Sequence, residues 1–109
     1  MAAAPIKIHD YVLIASDVVI TSESHGTQNA DIIRYYGDPQ LKSEPIEIGE
    51  GCWLGERCMI LPGVTLGRKC VVAAGAIVTK SFPDYSMLAG IPAKCIKKYN
   101  LKTHQWDKV

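Results

Sequence analysis

The chain has 109 residues, 48% of them hydrophobic and 21% charged, with a formal net charge of +1. That is enough for one domain with one modest core, and the composition is globular rather than disordered. The near-neutral balance argues against a dedicated nucleic-acid binder, which usually carries a basic surplus. No run of about eighteen apolar residues is present to cross a membrane.

In chain order, the opening MAAAPIKIHD has neither a basic n-region nor a long apolar h-region, so no signal peptide is read and a cytoplasmic location is expected. The pattern then becomes regular. Ile8, Ile14 and Ile20 recur every six residues, each preceded two places earlier by Ile6, Val12 or Val18. Residues 6–23 therefore read as one repeating unit. The register fails between Ile20 and Ile46, where TSESHGTQNADIIRYYGDPQLKSEP carries Gly26, Gly37, Pro39 and Pro45. A break this long inside a compact domain is uncommon and often functional. Residues 24–45 read as a protruding loop with His25 at its entrance. Ile32, Ile33, Tyr35 and Tyr36 make the loop rather apolar for a solvated insertion, so packing on a neighbour is expected.

Residues 46–80 resume the register. Ile48, Leu54, Ile60, Leu66, Val72 and Val78 hold the six-residue period, and Ile46, Cys52, Cys58, Val64, Cys70 and Ala76 sit two places before them. Gly51, Gly63 and Gly75 fall three after alternate members. Residues 81–109 form a C-terminal loop and tail. Within it, KCIKKYNLKTHQWDKV alternates loosely, as a closing strand or hairpin would, with Trp106 packed against it.

A helix cannot hold this register, because its 3.6-residue period sends residues six apart to different faces. A strand puts i and i−2 on one face. A short strand plus a bend returns the pattern every six, with glycine suited to the bends. Stacked coils of this kind bury a column of aliphatic side chains and make a β-solenoid. So short a stack leaves apolar ends exposed, which favours oligomers or a missing cap. Cys52, Cys58 and Cys70 fill the small inward position, where a free thiol behaves as a compact hydrophobe. No cysteine pair has C-x-x-C spacing and no histidine lies at zinc-finger distance, so no metal site is expected.

The sixes resemble the hexapeptide repeat of the left-handed β-helix acyltransferases. The ordered set VLIASDVVITSESHGT, PIEIGEGCWLGERCMILPGVTLG and VVAAGAIVTKSFPDYSMLAGIPAKCIKKY is similar to the xenobiotic, galactoside, maltose and polysaccharide O-acetyltransferase branch. The likeness runs from about residue 8 to residue 99. It implies an all-β fold: a left-handed parallel β-helix of three sixes per coil, with a protruding active-site loop and a short C-terminal extension. It also implies transfer of an acetyl group from acetyl-coenzyme A to a hydroxyl on a sugar or similar small molecule. Family members usually carry further N-terminal coils that hold acceptor-binding residues, and this chain begins about one coil before His25. Family sites lie between subunits of a homotrimer, so a trimer is expected.

In this branch the histidine at the loop entrance is the general base, and His25 stands there. Moving an acetyl group from a thioester to a hydroxyl requires the hydroxyl proton to leave as oxygen attacks, which a near-neutral imidazole can arrange. His9 and His104 match no such position. By family position, the main-chain N–H of Glu56 faces the thioester carbonyl, and Ala74, Thr79 and Lys80 are cofactor contacts. Lys94 and Lys97 match charges beside the adenosine phosphates, although a solvated basic tail would look the same. Trp53 is either a surface aromatic or a wall of the site.

Two other classes remain open to comparison. A catalytically degenerate β-helix with a binding or structural role would keep the repeat and lose the chemistry. A zinc hydrolyase on the same solenoid would need three converging histidines, and His9, His25 and His104 lack that spacing.

Overall fold

The computed structural model describes residues 4–25 and 41–109, and every regular element among them is a strand. Each six-residue unit contributes a short strand and a bend. The first coil holds β1 (Ile6–Ile8), β2 (Leu13–Ile14) and β3 (Val19–Ile20). A ribbon of β4 (Glu23–His25) and β5 (Leu41–Ser43) then leaves and rejoins the stack. The second coil holds β6 (Ile46–Ile48), β7 (Trp53–Leu54) and β8 (Met59–Ile60). The third holds β9 (Thr65–Leu66), β10 (Val71–Val72) and β11 (Ile77–Val78). The chain ends in β12 (Ser86–Gly90), β13 (Ala93–Asn100) and β14 (Gln105–Lys108).

Pairing between coils is parallel and makes three faces. The first face is β1–β6–β9, extended by a bridge from Leu66 to Phe82. The second is β2–β7–β10–β12, extended by the antiparallel strands β13 and β14. The third is β3–β8–β11. The C-terminal extension is thus strand. β12 adds a further parallel rung, with Val72 opposite Leu88, and the hairpin β13–β14 closes that face.

The expected inward column is the core. Ile14, Leu54, Val72 and Leu88 are register partners along the second face, and the last three are buried. Ile48, Ile60, Leu66 and Val78 complete the prism interior, with Cys52, Cys58 and Cys70 in the small positions. The first coil is covered on one side only among the described residues. Ile8 and Ile14, inward by register, are 44% and 47% exposed there.

The bends follow one rule. Tyr11, Gly51, Lys69 and Tyr85 all take positive φ at the corner between the first and second faces. Asp17, Arg57 and Gly75 do so between the second and third. Each such residue past the first coil donates its N–H to the corner carbonyl of the coil before, as in Lys69 to Glu50 and Arg57 to Ser16. A left-handed conformation that costs a non-glycine residue about 1–3 kcal/mol is therefore tied to a bond that keeps the coils in step.

The thiols are packing groups. Cys52 donates to the Gly67 carbonyl at 3.0 Å and Cys70 to that of Pro83 at 3.2 Å. A hydrogen bond with Cys70, then burial, pushes the Cys52 thiol far up, and burial pushes Cys58 up. The same bond from Cys52 lowers Cys70, so what keeps all three from a reagent is that their side chains are fully buried. A thiolate is the reactive form. A thiol reagent should therefore find at most one of the four cysteines, Cys95, in the native protein and all four after unfolding. Rapid reaction of two or more native thiols would contradict this packing.

One contact joins residues on either side of the loop. His9 is half-buried, and its Nε2 lies 2.6 Å from the Glu47 carboxylate. The hydrogen bond to His9 holds the Glu47 carboxyl below its ordinary value. A carboxylate depressed on folding stabilises the protein above its unfolded pKa, and that contribution is lost as pH falls through the folded value. The melting-temperature gap between the parent and Glu47→Gln should therefore be largest near neutral pH. It should close as pH drops below about 4.3, the ordinary glutamate value. A gap independent of pH would refute the pairing.

Candidate active site

Two corners of the prism carry the residues that the sequence singles out. At the corner between the second and third faces, Trp53, Glu56 and Ala74 line one groove of about 340 Å³, together with Ala15, Gly55 and Ala73. β7 places Trp53 outward because the neighbouring Leu54 points into the core, and the indole is 54% exposed. The floor is low because the coils touch there. A Cβ on Gly55 would lie 2.7 Å from the Val72 carbonyl oxygen and 2.8 Å from the Ala74 nitrogen. Gly75 opens to empty space on the same corner.

Main-chain donors face this corner. The Glu56 carbonyl accepts from Gly75, and Arg57 donates to Ser16. The N–H groups of Glu56 and Ala74 have no backbone acceptor among the described residues. Two free N–H groups beside small side chains can hold a carbonyl or amide oxygen of an extended ligand. The Glu56 side chain itself is exposed.

The second set lies at the corner between the third and first faces. Register stacks Thr21, Leu61 and Thr79 there, because Val19, Met59 and Ile77 are partners one coil apart. Thr21 lies four residues before His25, at the root of the β4–β5 ribbon. His25 is the last residue of β4 and pairs with Leu41. Thr79 and Lys80 are exposed two rungs along, or about 10 Å at ordinary strand spacing. The Lys80 ammonium sits over the Phe82 ring, 5.7 Å from its centroid. The third face therefore separates the Trp53 set from the His25 set within one chain.

Lys94 and Lys97 lie on β13, paired with Ala89 and with Met87. They belong to neither corner. Ile32, Ile33, Tyr35 and Tyr36, expected to pack on a neighbour, lie outside the described residues. His104 occupies the exposed turn before β14, away from both sets. Among the described residues no cluster of three or more His, Cys, Asp or Glu side chains could hold a metal.

Comparison with known proteins joins this geometry to a family. Residues 45–80 match the model for the hexapeptide repeat of succinyl-transferase. Over 94% of its length the chain is 42% identical to WbbJ of Escherichia coli K12, named for an O-acetyl transferase role in lipopolysaccharide biosynthesis. Over 87% it is 38% identical to the galactoside O-acetyltransferase of the same organism. The chain is a hexapeptide-repeat protein similar to these O-acetyltransferases. Its fold is accordingly the left-handed parallel β-helix.

A solved galactoside acetyltransferase in complex with coenzyme A superposes with a TM-score of 0.79 at 35% identity. That match covers 94% of this hexapeptide-repeat chain and 50% of the other. The chain spans 62% of the length of WbbJ and 45% of that of the galactoside enzyme. Two residues went unremarked in the sequence: Tyr85 and Tyr99, which cluster with Trp106 near Trp53. Only their aromatic character marked them, since neither follows the six-residue register.

Proposed function

We propose that the protein transfers the acetyl group of acetyl-coenzyme A to a hydroxyl of a saccharide, directly and with His25 as general base. The observation that carries this reading is the groove of Trp53, Glu56 and Ala74 with its two main-chain N–H groups that have no backbone acceptor among the described residues. That groove suits a thioester arm with carbonyl and amide oxygens along its length. The Glu56 N–H is suited to the thioester oxygen as negative charge develops there, and Trp53 bounds the acceptor side. His25 takes the hydroxyl proton as the oxygen attacks the thioester carbonyl. The proton passes on to the departing coenzyme A thiolate, which balances the transfer. Thr79 and Lys80 hold the donor farther from the reacting carbon, and Lys94 and Lys97 balance phosphate charge as point cations. Names among the relatives, a galactoside O-acetyltransferase and a lipopolysaccharide-biosynthesis O-acetyl transferase, support a saccharide acceptor.

The two corners support assembly as a homotrimer. A single extended donor reaches both sets most simply in a cleft where the second–third corner of one subunit meets the third–first corner of the next. Such a cleft brings the β4–β5 ribbon of one chain to the Trp53 groove of another. The test is release of free thiol from acetyl-coenzyme A across a panel of sugars. Release that depends on one of them supports the reading, and the absence of release with all of them counts against it.

A further inference from the structure

A second cavity, of about 420 Å³, shares Trp53 and Val71 with the donor groove but lies on the opposite side of them. Its other walls include Lys69, Tyr85, Tyr99 and Trp106. We propose that this cavity binds a ring of an acidic oligosaccharide, so that the acceptor is an extended, negatively charged glycan rather than a free neutral sugar. The proposal rests on the saccharide acceptor argued above and narrows it.

The walls are built, and they are aromatic. Tyr85 and Tyr99 stack at 5.8 Å with 23° between their planes, and Tyr99 meets Trp106 edge-on at 5.3 Å and 70°. Backbone fixes the set, since Tyr99 donates its N–H to Tyr85 and is the register partner of Trp106. Aromatic rings supply broad apolar contact, and their phenol and indole groups keep a polar handle. Among the described residues, neither tyrosine hydroxyl and neither indole N–H has a hydrogen-bond partner. A pyranose ring needs that combination: an apolar C–H face to stack on, and hydroxyls that meet free donors. The volume falls within the roughly 300–1,000 Å³ of small-molecule sites.

Charge decides the kind of saccharide. Lys69 is in the wall, and the lining contains no carboxylate. On β13 and β14, Lys97 and Lys108 are partners two positions from the Tyr99–Trp106 pair. Strand alternation puts all four on one side of the sheet. The acid on that hairpin, Asp107, pairs with Lys98 and belongs to the other side. Lys98 is engaged with the Asp84 carbonyl and the Ser86 hydroxyl. Lys69 in the wall and Lys108 on the same side of the hairpin thus give the aromatic cavity positive charge with no carboxylate in its lining, which favours a carboxylate-bearing or phosphate-bearing sugar over a neutral one. Both belong to one chemistry, an anionic saccharide.

The experiment is calorimetric titration of the full chain with a galacturonic acid tetrasaccharide, maltotetraose and free galacturonic acid, in the absence of acetyl donor. The acidic tetrasaccharide should bind more tightly than the other two. Tyr99→Ala should weaken it about tenfold or more. Lys69→Gln, which keeps every ring, should remove the preference for acid over neutral sugar, and circular dichroism should show both variants folded. Prior saturation with coenzyme A should leave the binding in place. No binding, or equal binding by the parent and both variants, would overturn the proposal. So would displacement by coenzyme A, which would assign the cavity to the donor groove. So would a concentration-dependent mass that falls in Tyr99→Ala, which would assign the face to a second copy. Saccharide binding without acetyl transfer would instead sink the enzymatic proposal and leave this one standing.

Discussion

His25→Ala is expected to slow acetyl transfer about 10²–10⁴-fold, the usual contribution of a positioned general base, with little change in acetyl-coenzyme A affinity. The reason is the division of labour between corners. On the proposed reading, donor contacts come from the main chain at Glu56 and Ala74 and from side chains along the stack. The histidine stands at the end of β4, on a ribbon held by its pairing with β5. Removing the imidazole leaves the groove intact and removes only the acceptor for the hydroxyl proton. The loss should shrink as pH rises, because hydroxide increasingly replaces the missing base. Steady-state thiol release from pH 6 to pH 9, with parent and variant side by side, checks both statements. Equal rates would end the assignment, and a loss of donor affinity would make His25 a binding residue instead.

The second large effect falls on the core. Leu54→Ala should destabilise the protein by about 2–5 kcal/mol. Leu54 is fully buried and lies between Ile14 and Val72 in the column of the second face. Both neighbours are fixed by main-chain pairing, so the coils cannot collapse into the gap. The same position orients the proposed site, because Trp53 is outward only while Leu54 is inward. Urea unfolding followed by tryptophan fluorescence measures the change. A loss under about 1 kcal/mol would mean that the column is not the principal core.

The sequence carried most of the prism, because the inward residues repeat at a strict six. It carried the last rung poorly. Leu66 meets Phe82 and Val72 meets Leu88 only sixteen positions on, whereas Ile48 meets Leu66 after eighteen. Two residues are missing from the bend at Thr79–Ser81, so a six-residue scan loses β12. The contact between His9 and Glu47 was hidden for the opposite reason. Ile8 pairs with Ile48 forty positions later, and that offset depends on where the loop returns.

The candidate site was only half readable. Register alone puts Trp53 outward and Thr79 at a bend. It does not say which bends share a corner, because the loop falls inside one of them. Nor does a period of six reach the antiparallel hairpin, where Tyr99 and Trp106 meet through strand pairing of another kind.

Calorimetric titration of acetyl-coenzyme A, with the mass of the complex measured in solution, tests the central claim most directly. The account predicts saturable binding at one donor per chain in a trimer, weakened by removing the exposed Trp53 indole. No binding at millimolar donor would contradict it.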